Sequence, residues 1–242
     1  MHIQKHGEHL IQLERFTFVN CYLVREDDGF TLVDTGMVGS AKGILEAAKQ
    51  YGAPIKRIAL THAHVDHVGS VDALHALIPN AEVMISARDA RFLTGDKSLD
   101  PDEPQTPLKG GYPVIKTVPT RLLQPGDQVG SLQVIASPGH TPGHVSYWDP
   151  RESVLLAGDA YSTKAGTSTG GTFRLLFPFP AMATWHKRSG IHSAETLVAL
   201  NPKWLATGHG RVVENPVASM QGAIDEAKRK TGVKTYGGSQ AG

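Results

Sequence analysis

The sequence predicts a layered α/β protein, and two observations support this prediction. Short apolar runs rich in β-branched and aromatic residues alternate along the chain with segments whose apolar residues recur at helical spacing. In addition, 26 glycines and 15 prolines indicate many short elements joined by tight turns. Strands and helices that alternate in this way pack as sheets covered by helices.

The apolar runs and the helical segments follow one another along most of the chain. The predicted strands are residues 16–24, 30–36, 57–64, 82–86, 132–140, 145–149, 153–159 and 203–210. The predicted helices are residues 40–51, 70–78, 86–93, 186–200 and 216–231. Residues 94–120 and 161–185 lack a sustained period and are predicted long loops, which in compact domains are commonly functional lids or disordered segments.

The composition limits the class of protein. Across 242 residues, 24 Lys+Arg balance 23 Asp+Glu, and the formal net charge of +1 disfavours a nucleic-acid or membrane-surface binder driven by bulk charge. A chain that is 40% hydrophobic and 19% charged is typical of a globular protein. We therefore expect one globular domain over residues 1–242.

The single cysteine and the first residues bear on the cellular compartment. Cys21 has no second cysteine with which to form an intramolecular disulfide. The opening MHIQKHGEHLIQL lacks the basic and apolar regions of a signal peptide, and no run approaches the roughly 18 apolar residues of a membrane helix. These features favour a cytoplasmic protein.

Five predicted strands end in polar side chains that can bind a metal. These side chains are Asp34, the cluster His62, His64, Asp66 and His67, and then His140, Asp159 and His209. Ligand sites in α/β proteins form at the carboxyl ends of strands, where loops bring distant segments together. The pattern therefore predicts that these side chains converge.

The segment THAHVDHVG, residues 61–69, is the strongest of these signals. In extended chain the i, i+2 spacing of His62 and His64 places both imidazoles on one side. Asp66 and His67 follow in the turn before a predicted helix. Imidazole nitrogens and carboxylate oxygens are ligands that zinc accepts. The alternative, a solvated polar turn, would have to satisfy four polar side chains at one place without a cation.

The number of candidate ligands bears on the number of metals. Singly, His140, Asp159 and His209 are weak candidates, because a lone histidine beside glycine is commonly a turn or core residue; their joint placement after apolar strands strengthens all three. Seven ligands are too many for one catalytic zinc, which takes three protein ligands and keeps one open position. They suit two ions that share a carboxylate.

With HAHVDH at residues 62–67, the chain resembles the metallo-β-lactamase superfamily, whose signature is HxHxDH. Similar segments follow in the family's order, and the resemblance covers residues 16 to about 210. These segments are VDTG at 33–36, SPGHTPGH at 137–144, GDA at 158–160 and GHG at 208–210. The resemblance implies a four-layer αβ/βα sandwich of two packed sheets with helices outside and the metals at one edge.

The resemblance also implies a role for each ligand. His62, His64 and His140 would bind the first metal, Asp66, His67 and His209 the second, and Asp159 would bridge them. Two divalent ions about 3.5–4 Å apart can hold a bridging water and lower its pKa toward neutrality, which produces a hydroxide nucleophile. Asp66 is the candidate catalytic residue, orienting this nucleophile or accepting its proton.

Zinc is the metal that we expect first, although iron and manganese accept the same ligands. The expected partner is a small-molecule substrate, with no nucleic acid and no membrane, and a homodimer stays open. Asp34 is a candidate support for a ligand histidine, with a cap or turn aspartate as the alternative. His144 is expected chiefly to pack and to form structural hydrogen bonds.

The 161–185 segment contains apolar residues that either line a substrate pocket or serve as core or dimer contacts. They are Phe173, Leu176, Phe177, Phe179, Met182 and Trp185. Nearby cations are candidates for binding an anionic substrate group, although a solvated surface is their commoner use. They are Lys164, Arg174, Lys187 and Arg188.

Three functions remain open from the sequence. The first is a hydrolase in which hydroxide bridging two metals attacks a small ester, lactone or thioester carbonyl. The second is an oxidoreductase resembling the persulfide dioxygenases, with one iron held by His62, His140 and Asp159. The third is a metal-binding module without catalysis. Antibiotic hydrolysis is disfavoured, because class B1 β-lactamases use a cysteine on the second metal and Cys21 lies upstream of the motif.

Overall fold

The computed structural model describes residues 1–233, and residues 234–242 lie outside the described part of the chain. The first half contains β1 (His2–His6), β2 (Leu10–Arg15), β3 (Val19–Glu26), β4 (Gly29–Val33), α1 (Ala41–Gln50), β5 (Ile55–Ala59), α2 (Val65–Val68), α3 (Val71–Leu77), β6 (Glu82–Ser86), α4 (Ala87–Leu93) and β7 (Arg121–Leu123). The expectation of one domain over residues 1–242 includes the last, undescribed residues and stays a prediction.

The second half repeats the pattern of strands followed by helices. It contains β8 (Gln128–Val129), β9 (Leu132–Ala136), β10 (Val145–Asp149), β11 (Val154–Leu156), β12 (Tyr161–Ser162), β13 (Ser168–Thr169), α5 (Phe179–Ala183), α6 (Lys187–Val198), β14 (Trp204–Ala206), β15 (Val213–Glu214) and α7 (Val217–Thr231). No helix within residues 1–233 is long and apolar enough to span a bilayer.

Two large sheets organise these elements. The first has the order β1-β2-β3-β4-β5-β6-β7, antiparallel from β1 to β4 and parallel from β4 to β7. The second has the order β15-β14-β11-β10-β9-β8, in which β11 and β14 are parallel. The strands β12 and β13 form a separate two-stranded sheet.

Period-two alternation along the strands divides the apolar side chains into three buried layers. On β3, Cys21 and Leu23 pack with helices α1, α3 and α4, whereas Tyr22 and Val24 pack toward the second sheet. On β11, Leu155 packs against α6 and α7. Three apolar layers separate four layers of structure, so the predicted αβ/βα sandwich is confirmed.

The predicted strands and helices are confirmed in order, but several boundaries differ. The run 16–24 becomes a strand only at Val19, because Phe16 and Thr17 adopt φ values of 55° and 63° in the turn between β2 and β3. Residues 94–120 contain no helix or strand, as predicted. The prediction of a loop over residues 161–185 is wrong in part, since β12, β13 and α5 lie there.

Candidate metal centre

The structure brings all seven predicted ligands to one edge of the two sheets. His62 follows the end of β5, Asp159 follows β11 and His209 follows β14. Each of these ligands lies three residues after the last residue of its strand, so the side chain extends from a loop at the carboxyl end of the strand. Asp66 and His67 lie on the short helix α2 rather than in a turn.

Three histidines form the first group of potential ligands. One nitrogen each of His62, His64 and His140 lies within 4.8 Å of the other two. His64 Nδ1 lies 3.1 Å from His62 Nε2 and 3.0 Å from His140 Nε2. All three imidazoles are buried.

The outer nitrogen of each of these imidazoles faces an oxygen acceptor. His64 Nε2 donates to the Lys109 carbonyl at 2.9 Å. Thr61 Oγ1 donates its own proton to Asp34, so it accepts from His62 Nδ1 at 3.0 Å. By the same logic Thr184 Oγ1 donates to a carbonyl and accepts from His140 Nδ1 at 3.0 Å.

These outer hydrogen bonds determine what the inner nitrogens can do. A neutral imidazole carries one N–H, and here each N–H points outward. Three lone pairs therefore converge without a proton between them, an arrangement that repels unless a cation lies among them. The donor set of the first group thus fits a metal ion.

A second group of potential ligands adjoins the first. Asp66, His67 and His209 offer atoms within 4.8 Å of one another. The outer nitrogen of His67 donates to Asp34 at 2.8 Å, and that of His209 donates to the Phe18 carbonyl at 2.6 Å. The inner nitrogens of both histidines face the carboxylates of Asp66 and Asp159.

Asp159 lies between the two groups. Its Oδ2 is 3.3 Å from His140 Nε2 and 3.1 Å from His209 Nε2, and its Oδ1 is 3.5 Å from His67 Nε2. Within residues 1–233, the buried atoms His67 Nε2 and Asp159 Oδ1 have no hydrogen-bond partner. Orphaned buried polar atoms are rare in folded proteins, and both of these point into the space between the groups.

The electrostatics of the first group favour neutral imidazoles. Burial, followed by the neighbouring histidines, lowers the pKa of His62 well below its usual value. Burial likewise lowers the pKa of His140 well below that value and the pKa of His64 to about 4. Neutral imidazole is the form that binds a metal.

The electrostatics of the second group favour a positive charge. Burial lowers the pKa of His67, but Asp34, Asp159 and Asp66 outweigh it and hold this pKa well above the usual value. For His209 burial is again outweighed by Asp159 and Asp66, which raise its pKa. A divalent cation satisfies the same carboxylates, so a metal competes with these protons.

At two positions beside the ligands, Gly110 and Gly208, a side chain would overlap a ligand atom. A Cβ built on Gly110 would lie 2.4 Å from His64 Nε2, and one on Gly208 would lie 2.2 Å from Asp159 Oδ1. The chain can pass this close to the ligands only where it carries no side chain. Gly110 belongs to the 94–120 loop, whose contribution to the site was not predicted from the sequence.

Asp34, His144 and Asp89 support the candidate ligands through hydrogen bonds. Asp34 accepts from His67 and Thr61, so it orients ligands rather than capping a helix. His144 accepts from the Asp159 backbone N–H at 3.0 Å and therefore positions the loop that carries Asp159. Asp89 was missed, although its buried carboxylate accepts from Ala63 N–H and Gly143 N–H and so joins the loops of both histidine motifs.

A cavity of about 480 Å³ opens onto the two groups. Its lining comprises Phe18, Met37, His64, Val65, Asp66, Gly110, Gly111, His140, Asp159, Phe179, Pro180, Met182, Ala183 and His209. Of the apolar residues proposed for a pocket, Phe179 and Met182 line it. Phe177 and Trp185 are buried, whereas Phe173 and Leu176 are exposed outside it.

Comparison with known proteins identifies the family. The sequence model of the metallo-beta-lactamase superfamily matches residues 15–209, which include all seven candidate ligands. The chain belongs to the metallo-beta-lactamase superfamily. The match contains strands β3 to β14 and all seven candidate ligands.

Two relatives and one solved structure show how this superfamily chain compares with others. YobT of Bacillus subtilis (strain 168) is 50% identical over 212 residues, which span 87% of this chain and 91% of YobT. The "probable metallo-hydrolase YflN" of the same organism is 31% identical over 220 residues, or 83% of this chain and 81% of YflN. The crystal structure of TTHA1623 in a di-iron-bound form has a TM-score of 0.62 at 26% identity, covering 87% of this chain and 96% of that one.

Proposed function

We propose that the protein is a dinuclear metal-dependent hydrolase of small esters, lactones or thioesters. The observation that carries this proposal is the placement of Asp159 between two groups of potential ligands. The first group offers three lone pairs and no proton, and the second holds carboxylates that a divalent cation would neutralise. The relative YflN is named a metallo-hydrolase, and the structurally similar TTHA1623 was crystallised with two irons, which supports a site for two metals.

The proposed ligand sets follow the two groups. His62, His64 and His140 would hold one ion, Asp66, His67 and His209 the other, and Asp159 would contact both. Two bound divalent ions supply an activated water and Lewis-acid stabilisation of a carbonyl oxygen. Zinc is the proposed metal, because imidazole and carboxylate ligands suit it, as they also suit iron and manganese.

The chain's own residues position these ions and the substrate. Asp34 and the outer carbonyls fix the ring orientation of the ligand histidines. Asp66, whose side chain is 27% exposed, lines the cavity and is the carboxylate accessible to substrate. We assign to it the acceptance of a proton from the attacking water.

Metal content and hydrolysis together test this proposal. Elemental analysis of the purified protein is expected to give about two zinc or manganese per chain, with turnover in a screen of esters, lactones and thioesters. The Asp159→Ala variant is expected to lose metal. Its turnover should fall by more than about 10–100-fold, which is the usual effect of removing a hydrogen-bond partner of a ligand rather than the ligand itself. His192→Ala, at an exposed histidine on α6, is the matched control and should change neither quantity.

The other results separate the alternatives. One iron per chain together with oxygen consumption on a persulfide would replace the hydrolase with a dioxygenase. Bound metal without any turnover would leave a non-catalytic metal module, in which Asp66→Ala changes only metal binding or folding. A well-folded protein that holds no metal after reconstitution contradicts the ligand assignment itself.

A further inference from the structure

We propose that the substrate is an uncharged ester or lactone with an apolar chain, and that Phe18, Phe179 and Met182 select for that chain. This inference rests on the proposed hydrolase function and narrows its substrate class. It excludes substrates recognised through a carboxylate on the chain that enters the cavity, glutathione thioesters among them.

The chemistry of the cavity is divided between its floor and its walls. The polar groups, Asp66, Asp159 and the ligand histidines, lie together at the floor. The walls are apolar, and Phe179 and Met182 remain 62% and 63% exposed. Large apolar side chains this exposed beside polar catalytic groups indicate a surface that an apolar part of a ligand covers.

Two of the four candidate cations have partners away from the cavity. Among residues 1–233, no lysine or arginine lines the cavity. Arg174 is paired with both carboxylate oxygens of Glu226, and Lys164 donates to the Thr17 carbonyl. Lys187 lines a separate, smaller cavity. A carboxylate on the substrate chain would therefore lose water at these walls without gaining a cationic partner among the residues that line them.

The turn between β2 and β3 supports a specific role for Phe18. Phe16 and Thr17 both have positive φ, a conformation that aromatic and β-branched residues rarely adopt. This turn places Phe18 so that its ring lines the cavity while its carbonyl accepts from His209 Nδ1. Strain retained at such a position suggests a functional constraint on the turn.

A row of aromatic rings links this turn to the opposite wall. The Phe18 ring centroid is 5.8 Å from that of Phe177, which in turn is 5.4 Å from Phe179 and 5.3 Å from His209. Phe177 is buried behind the row. The apolar wall is thus held at a fixed position relative to a predicted ligand, as chain-length selection requires.

The test uses 4-nitrophenyl esters that differ only in the acyl chain. We expect kcat/KM, divided by the hydroxide-catalysed rate of each ester, to rise about two- to fourfold per added methylene from acetate to octanoate. The 4-nitrophenyl monoester of suberic acid has the same chain length as the octanoate and ends in a carboxylate. We expect kcat/KM for the suberate monoester to be at least tenfold lower than kcat/KM for the octanoate.

Variants assign this preference to the wall. Phe179→Ala and Met182→Ala should each lower the ratio of kcat/KM for the octanoate to kcat/KM for the acetate severalfold. Met182→Lys places a cation at an exposed wall position and should narrow the gap between octanoate and suberate monoester. Leu122→Ala, at an exposed leucine on β7 outside the cavity, is the control.

The results that would overturn this inference differ from those that would overturn the proposed hydrolase function. Hydrolysis that is independent of chain length, or equal for the two eight-carbon esters, overturns the inference and leaves the hydrolase. Binding is measured separately by calorimetry with octanamide and suberic acid monoamide on the metal-loaded protein. Octanamide bound at least tenfold more tightly, without turnover of any ester, lactone or thioester, confirms the pocket's preference and refutes the hydrolase. Equal binding of the two amides refutes the preference.

Discussion

Asp34 shows how one residue controls several ligands at once. Its carboxylate accepts from His67 Nδ1 and from the Thr61 hydroxyl, which itself accepts from His62. Its backbone φ of 61° lies in the left-handed region, where aspartate and asparagine are better tolerated than other non-glycine residues. Asparagine at this position therefore keeps the backbone and removes only the charge and one acceptor oxygen.

Asp34→Asn is expected to weaken metal binding by about 10–100-fold, the usual effect of removing an outer partner of a ligand histidine. Metal binding at the second group should weaken more than at the first, because His67 loses its direct hydrogen bond to a charged carboxylate. Metal retained after dialysis should fall from about two equivalents toward one. Asp225→Asn on α7 serves as the control, and equal loss of both metals would contradict the separate roles of the two groups.

The individual ligands differ in how far the sequence predicts them. His62, His64, Asp66 and His67 lie within six residues, so their chemistry is apparent without a fold. The acceptors of the outer nitrogens include the backbone carbonyls of Phe18 and Lys109, which any residue provides. Their role depends on where distant loops pass, and no residue type signals it.

At the scale of elements, the 94–120 loop closes one side of the metal centre. It brings the Lys109 carbonyl to His64 and passes Gly110 directly over the same ring. Helix α2 is anchored to this loop as well, since Val65 N–H donates to the Gly111 carbonyl at 2.9 Å. An element without regular structure thus positions a predicted ligand.

Gly110→Ala is expected to displace His64 and to lower metal affinity at the first group by at least about tenfold, because the new Cβ would overlap the imidazole. Gly126→Ala provides a closely matched control. Gly126 has φ of 90° against 87° for Gly110, and its Cβ would meet nothing within 4 Å, so both variants carry the same backbone strain. Similar metal affinity in the two variants would refute a steric role for Gly110.

Several of the strands that the sequence missed have a physical explanation. Strand β1 is HIQKH, an edge strand with little burial, so it lacks the apolar alternation that marks a strand. Strands β8 and β15 have two residues each and are defined by their partners rather than by their own composition. Burial of both faces did not decide the outcome, since the buried run of β4 was predicted as a strand whereas β2, whose first four residues are buried, was not.

At the scale of the whole molecule, the metal centre joins the two sheets. The first sheet and its loops contribute His62, His64, Asp66 and His67, and the second contributes His140, Asp159 and His209. Hydrogen bonds near the site also cross between the halves, as from Tyr22 Oη to the Thr207 carbonyl. A metal bound here therefore holds both halves together.

Removal of metal is expected to lower the melting temperature by about 5–10 °C. A ligand present at 100 times its Kd adds about 2.7 kcal/mol to the free energy of unfolding. For a domain of this size, each kcal/mol raises the melting temperature by about 2–4 °C. Calorimetry of the chelated protein and of the same sample after zinc is restored measures this shift. An unchanged melting temperature, with metal content verified, would show that the two halves pack independently of the ions.

The division of ligands between the halves also sets an order of events during synthesis. A chain emerging from the ribosome presents His62 and His64 long before His140, and the second group is incomplete until His209 has been added. Neither group can offer its full set of donors to a passing ion until both halves have met. In the proposed two-metal site, the choice of metal would therefore be made by the assembled sandwich rather than by the nascent HAHVDH segment, and it would depend on which ions surround the newly finished protein.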